Sequence, residues 1–229
     1  MLHKEELLNG FVDNKDFKVF KIDNVFDEEH LNTIKHHYQR FEHYYRTVGY
    51  AGQRKWGIPY KEISEKLQNI VSVALKEDVV ASEVELCIYT PDFGYLPKLP
   101  PHFDSHQQDG QRVTMSVLLE TNKEWDLIVE GQKYRSDINQ GIVFSGTQQI
   151  HWREDVSFAP GEYYASIFAH FAYKNKKEFS ANQIEIMKYK ENYYKEKTGI
   201  GQVAVETKGD FSTWGCRESW IKTAKRLFP

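Results

Sequence analysis

Along this chain of 229 residues the apolar positions change their period twice. Up to Lys76 they recur every three or four residues. From Val84 to Tyr173 they alternate in short runs, and beyond Tyr173 the helical spacing returns. A helix buries one stripe of side chains and a half-buried strand buries every second one. The order is therefore helices, then strands, then helices.

The first helix follows Asp27, a capping residue, with Glu28 and Glu29 at its positive end and Leu31, Ile34, Tyr38, Phe41 and Tyr45 as its stripe. A second is expected from about Tyr60 to Lys76, burying Ile63, Leu67, Ile70, Val71 and Ala74. Phe17–Ile22, which mixes apolar and basic residues, reads as an edge strand. Val84–Tyr89 reads as a strand, and Pro91, Gly94, Pro97, Pro100 and Pro101 break the next stretch into a loop. Arg112–Leu119 places Val113, Met115, Val117 and Leu119 on one face. Shorter strands fit Trp125–Val129, Gln132–Arg135, Gly141–Phe144, His151–Arg153 and Tyr163–Tyr173. Asn139-Gln140-Gly141 and Ser145-Gly146-Thr147 supply turns. Late helices are expected at Ala181–Lys195 and Arg217–Leu227.

Short strands at this spacing predict an α+β, mainly β fold, a sandwich or barrel of jelly-roll type. The N-terminal and C-terminal helices are expected to pack on one sheet. One domain is expected over 1–229, with a helical N-terminal part (25–78), a core at about 84–173 and a helical C-terminal extension (178–229).

Within the strand region, Pro101-His102-Phe103-Asp104-Ser105 and Ile150-His151-Trp152 stand out. Two imidazoles and one carboxylate on one face of a metal leave other coordination positions open, which suits a non-heme Fe(II) that must bind substrate-derived ligands and O2. A lone His-X-Asp arises easily by accident. Here it follows a Pro-rich loop after a strand, while His151 opens a strand of its own; strand ends are where a rigid scaffold can aim ligands. The plain alternative is two hydrogen-bonded histidines and an aspartate in a turn. His106 suits a substrate contact or solvent, and His170 a pocket floor or a hydrogen-bonded core position. His36, His37 and His43 fall on the first helix without a carboxylate three or four residues away and read as structural or surface residues.

Composition narrows the function classes. The net charge of −3 offers no basic field for nucleic acid, and Lys174–Lys177 is a local solvated run. Two cysteines, Cys87 and Cys216, fit no zinc pattern or disulfide framework, so a reducing, cytoplasmic setting is expected. The charged N-terminus does not read as a signal peptide, and no run approaches the roughly 20 apolar residues of a membrane span.

The chain resembles the Fe(II)/2-oxoglutarate-dependent oxygenase superfamily, in its prolyl-hydroxylase-like branch. The matching pieces are Tyr89-Thr90-Pro91, Leu99-Pro100-Pro101-His102-Phe103-Asp104, Arg112-Val113-Thr114 and Leu118-Leu119-Glu120. They continue with Trp125–Val129, Gln140–Gly146 and His151-Trp152-Arg153-Glu154, in the family's order over roughly 84–173. The resemblance implies a double-stranded β-helix (jelly-roll) in which His102, Asp104 and His151 are the catalytic metal ligands for Fe(II). It implies 2-oxoglutarate as co-substrate, O2 as oxidant, succinate and CO2 as products, and a hydroxylated small-molecule or peptide substrate. Asp104 favours hydroxylation, because halogenating relatives lack that carboxylate.

One departure is plain. Many relatives place Arg or Lys on the last strand, two residues before a Ser or Thr, to hold the distal carboxylate of 2-oxoglutarate; here the stretch reads Tyr164-Ala165-Ser166. Arg153, two residues after His151 and so on the same strand face, is the replacement this sequence offers. Its alternative role is a salt bridge to Glu154, Asp155 or Glu162. Arg112 is a second candidate, and Tyr89 and Ser166 can add hydroxyls. Two further readings stay open: a cupin-like metal barrel, isomerase or 2-oxoglutarate-independent dioxygenase, and a non-catalytic barrel.

Overall fold

A computed structural model of the chain describes residues 17–40, 46–48, 52–93, 96–104 and 110–199. Asp27 caps the first helix as its side-chain chemistry dictates: Oδ1 accepts the backbone N–H of His30 at 3.0 Å. Helix α1 runs over Glu28–Arg40 and α2 over Lys61–Leu75. Lys76 closes α2 in the left-handed conformation. Phe41, Tyr45, His43, His106 and the Arg217–Leu227 segment lie outside the described residues.

The strands are β1 (Phe20–Ile22), β2 (Arg46–Val48), β3 (Gln53–Gly57), β4 (Val79–Tyr89) and β5 (Arg112–Thr121). They continue as β6 (Leu127–Val129), β7 (Gln132–Tyr134), β8 (Gly141–Phe144), β9 (His151–Arg153) and β10 (Tyr164–Tyr173). They form two antiparallel sheets, a major one in the order β1-β8-β5-β10-β4-β3-β2 and a minor one in the order β7-β6-β9. The β2–β3 hairpin is absent from the sequence reading. Gln53-Arg54-Lys55-Trp56-Gly57 has no apolar alternation and becomes a strand by pairing with β4.

The major sheet buries both faces, and β5 shows how. Val113, Met115 and Val117 join Ile34, Ile63, Leu67 and Val71 of α1 and α2 in one core. Each such side chain stabilises the fold by about 1.5–3 kcal/mol through removal from water. The opposite face of β5 carries Thr114, Ser116 and Leu118 toward the minor sheet. There Leu118 packs with Cys87, Tyr89, Trp125, Phe158, Tyr164 and Phe168. Leu127 and Val129 of β6 meet Ile142 and Phe144 of β8 across the same interior.

The C-terminal helix corrects one expectation. Helix α3 (Ala181–Thr198), opened by a Ser180–Gln183 capping box, packs on the minor sheet and not beside α1 and α2. With Leu127 and Val129 turned inward, Ile128 and Trp152 point outward, and Tyr194 of α3 covers them. No helix among the described residues is long and apolar enough to cross a membrane.

His37 lies buried in α1, its Nε2–H donating to the Gly57 carbonyl at 3.0 Å and its ring edge-on to Tyr60. Burial holds its pKa down to about 4, against 6.5 when free. A base depressed on folding contributes stability that is fully present above pH 6.5 and is lost as pH falls toward 4. At about 1.36 kcal/mol per pH unit, wild type should lose about 2 kcal/mol more than His37→Gln between pH 7 and pH 4.5. Urea midpoints of the two proteins at both pH values measure this; parallel losses would refute it.

Candidate metal centre

The Pro-rich segment before Asp104 has few backbone partners of its own and takes them from its neighbours. Arg153 donates its N–H to the Leu99 carbonyl at 3.0 Å. His102 and His151 form an antiparallel bridge, each N–H donating to the other's carbonyl at 3.1 Å. Asp104 N–H donates to the Gly146 carbonyl at 2.8 Å. Three hydrogen-bonded anchors thus carry His102 and Asp104 from a loop to the start of β9, where His151 waits.

The side chains converge. One ligand atom from each of His102, Asp104 and His151 lies within 4.8 Å of the other two. Asp104 Oδ1 is 3.6 Å from His102 Nε2 and 3.1 Å from His151 Nε2. Each ring faces a carbonyl on its other side: His102 Nδ1 is 2.7 Å from Pro100 O and His151 Nδ1 is 3.1 Å from Gln149 O. A carbonyl can only accept, so both Nδ1 atoms carry their proton. A neutral ring then turns its Nε2 lone pair toward the Asp104 carboxylate. Lone pair against carboxylate is repulsive until a proton or cation stands between them. This donor set, with its ring orientation fixed from behind, fits a divalent metal.

The surrounding charges agree. Burial alone would raise the Asp104 carboxyl, but the His151 and His170 imidazoles and two hydrogen bonds hold it well below the usual carboxylate range. Burial lowers His102. At His151 burial acts in the same sense but Asp104 outweighs it, so that ring is raised.

Two residues not named as site residues from the sequence complete the setting. Thr114 Oγ1 donates to Asp104 Oδ2 and lies 3.1 Å from His170 Nδ1. This occupies Oδ2 and leaves Oδ1 facing the imidazoles. The signal was present: Thr114 and Ser116 alternate with the apolar Val113, Met115 and Val117 along one strand. Gly146 is the second. A β-carbon there would run into Asp104 Oδ2 and Thr114 Oγ1. Gly146→Ala should therefore displace the carboxylate and weaken Ni(II) binding by roughly 10–100-fold, the range for groups that support a ligand. Titration calorimetry on the variant checks this; an unchanged constant would show that the carboxylate can shift without loss.

Farther into the interior lies Arg153, only 1% exposed. Its Nη1 donates to the Trp125 carbonyl at 2.5 Å, and its guanidinium stacks 4.2 Å from the Tyr164 ring centroid and 5.1 Å from that of Trp125. None of the described carboxylates pairs with it, so its alternative role, a bridge to Glu154, Asp155 or Glu162, is not filled: Glu154 pairs with Lys133 and Glu162 with Lys123. The Arg153 Nε and Ser166 Oγ atoms are buried without a hydrogen-bond partner. Tyr89, fully buried, packs on Trp125 at 5.0 Å, and burial raises its pKa, so its hydroxyl keeps its proton. Arg153 and Tyr89 therefore meet around Trp125, and Ser166 lies two residues beyond Tyr164 on the same face of β10, whereas Arg112 sits half-buried at the start of β5, its N–H held by Thr147 Oγ1.

Two antiparallel sheets form a β-sandwich, and it carries a two-imidazole, one-carboxylate cluster whose donor atoms fit a metal ion. No family model matches the sequence, and no curated protein matches it. Solved structures do match. HygX from Streptomyces hygroscopicus, solved with nickel, 2-oxoglutarate and hygromycin B bound, is 10% identical with a TM-score of 0.53 over 78% of this chain and 90% of that one. A 2OG-Fe(II) oxygenase family oxidoreductase from Burkholderia pseudomallei is 10% identical, TM-score 0.51, over 75% and 92%. A prolyl-4-hydroxylase from Pseudomonas putida is 13% identical, TM-score 0.50, over 72% and 98%. The fold of this chain is thus the one those oxygenases and hydroxylases share.

Proposed function

We propose that the chain is a single-domain, cytoplasmic Fe(II)- and 2-oxoglutarate-dependent dioxygenase with a double-stranded β-helix core, hydroxylating a small-molecule or peptide substrate. The observation that carries the reading is the arrangement along β9. His151 and Arg153 point the same way, and the guanidinium is buried with no carboxylate beside it. A buried cation without an anion is costly by several kcal/mol. A ligand that brings a carboxylate to that position removes the penalty.

In this reading His102 Nε2, His151 Nε2 and Asp104 Oδ1 hold the metal. Bound Fe(II) supplies activation of O2 coupled to oxidative decarboxylation of 2-oxoglutarate, so that substrate, co-substrate and O2 give hydroxylated substrate, succinate and CO2. Arg153 lies two residues beyond His151, roughly 7 Å along the strand, which a five-carbon dicarboxylate can bridge. Arg153 Nε and the hydroxyls of Ser166 and Tyr89 then donate to the distal carboxylate. Trp125, Tyr164 and Phe158 exclude water there and strengthen those bonds. A cupin-like isomerase would need the metal ligands, and would engage the buried Arg153 only through an anionic group on its own substrate.

The test is direct. Under argon, Fe(II) and 2-oxoglutarate should bind together and raise the melting temperature, and admitting air should release succinate. Protein that binds metal but ignores 2-oxoglutarate would instead be a cupin-like barrel. Protein whose melting temperature no metal shifts would be a non-catalytic one.

A further inference from the structure

Glu130 and Lys190 are a buried ion pair that the proposed chemistry does not use. Lys190 is a residue of α3, only 1% exposed, and its Nζ bonds Glu130 Oε2. Glu130 follows β6 with φ +52, in the left-handed region. That turn brings both its backbone and its side chain against Ile150: Glu130 N–H donates to Ile150 O at 2.9 Å, and Ile150 N–H donates to Glu130 Oε1 at 2.7 Å. Ile150 directly precedes His151. On the other side of His151, Trp152 packs against the tilted ring of Tyr194 of α3 at 4.9 Å between ring centroids.

Both chain neighbours of one proposed metal ligand are thus held by the same helix, one through a salt bridge and one through a ring contact. We infer that Glu130 and Lys190 are positioning residues for His151, and that α3, beyond the last strand of the sheets, is a working part of the metal site. Lys190 fixes the Glu130 carboxylate, and Glu130 fixes the peptide that aims the imidazole. Without Lys190 the carboxylate is a lone buried charge and is drawn toward water, releasing Ile150 N–H. The inference rests on the metal reading of His102, Asp104 and His151.

The experiment is Ni(II) titration calorimetry, without 2-oxoglutarate, on the full-length chain, with folding checked by circular dichroism. Lys190→Met should weaken Ni(II) binding by about tenfold or more. The double variant Glu130→Gln/Lys190→Met keeps an acceptor for Ile150 N–H without a charge and should return to within about threefold of wild type, whereas Glu130→Leu/Lys190→Met should not. A merely structural pair would lower the melting temperature in all three and leave the binding constant alone. Lys190→Met binding as wild type, or equal constants for the two double variants, overturns the inference while leaving the metal site standing. If Lys190→Met alone does not fold, the two double variants decide. Wild type that binds Ni(II) no better than His102→Ala overturns the metal reading, and this inference with it.

Discussion

Asp104→Ala is expected to reduce succinate release by at least about 10³-fold, beyond the roughly 10–100-fold seen when a group that only supports a ligand is lost. The same substitution should abolish stabilisation by metal. With Ni(II) at one hundred times its dissociation constant, wild type gains about 2.7 kcal/mol. At about 2–4 °C per kcal/mol for a chain of this size, that is a rise of roughly 5–11 °C. Asp104→Ala and His102→Ala should show almost none of it, and yet fold. Both residues sit on an irregular segment held to β9 and Gly146 by backbone hydrogen bonds that substitution does not touch. Asp104 also belongs to none of the apolar cores. Differential scanning calorimetry with and without Ni(II) reads the effect. A variant lacking the carboxylate but stabilised as much as wild type would remove Asp104 from the ligand set.

Arg153→Met should raise the Michaelis constant for 2-oxoglutarate by about 100-fold, the loss of roughly 3 kcal/mol expected when charge-assisted bonds to a carboxylate go. Its effect on the ligand-free protein should be small, within about 1 kcal/mol. Methionine fills similar space between Trp125 and Tyr164, and removal of an unpaired buried cation compensates for the bond lost at the Trp125 carbonyl. Arg153→Lys, one point charge where a fork was, should fall between the two. If Arg153 were instead a structural pillar, methionine would unfold the protein and leave the constant for co-substrate where it was. Isothermal denaturation beside steady-state kinetics separates the two outcomes.

The interior of the sheets was legible because alternation is a strong signal. Val113, Met115 and Val117 mark one face of β5, and the turns at Asn139 and Gly146 mark where strands stop. The convergence of His102, Asp104 and His151 was legible because few side-chain types suit a metal and their order along the chain follows the strand ends. The placement of α3 was not legible. Met187, Lys190 and Tyr194 face the minor sheet, and a buried lysine in that stripe reads as solvent-facing until its partner Glu130 is known. Gln53–Gly57 was missed for a related reason: pairing with β4, not composition, makes it a strand. The surroundings of Arg153 were invisible as well. Three nearby carboxylates in sequence suggested a salt bridge, and only the backbone path shows two of them serving lysines on the surface.

The bridge between His102 and His151 has a bearing on how such sites are found in other chains. The two histidines are 49 positions apart (151 − 102) in sequence, yet they occupy a single rung of antiparallel backbone. Their separation in space is thereby decoupled from the length of whatever lies between them. Surface turns in the intervening stretch can grow or shrink without detuning the pair, so a search keyed to the gap length would pass over true equivalents. The trait worth scanning for is a short extended run flanking each imidazole, able to zip onto its counterpart.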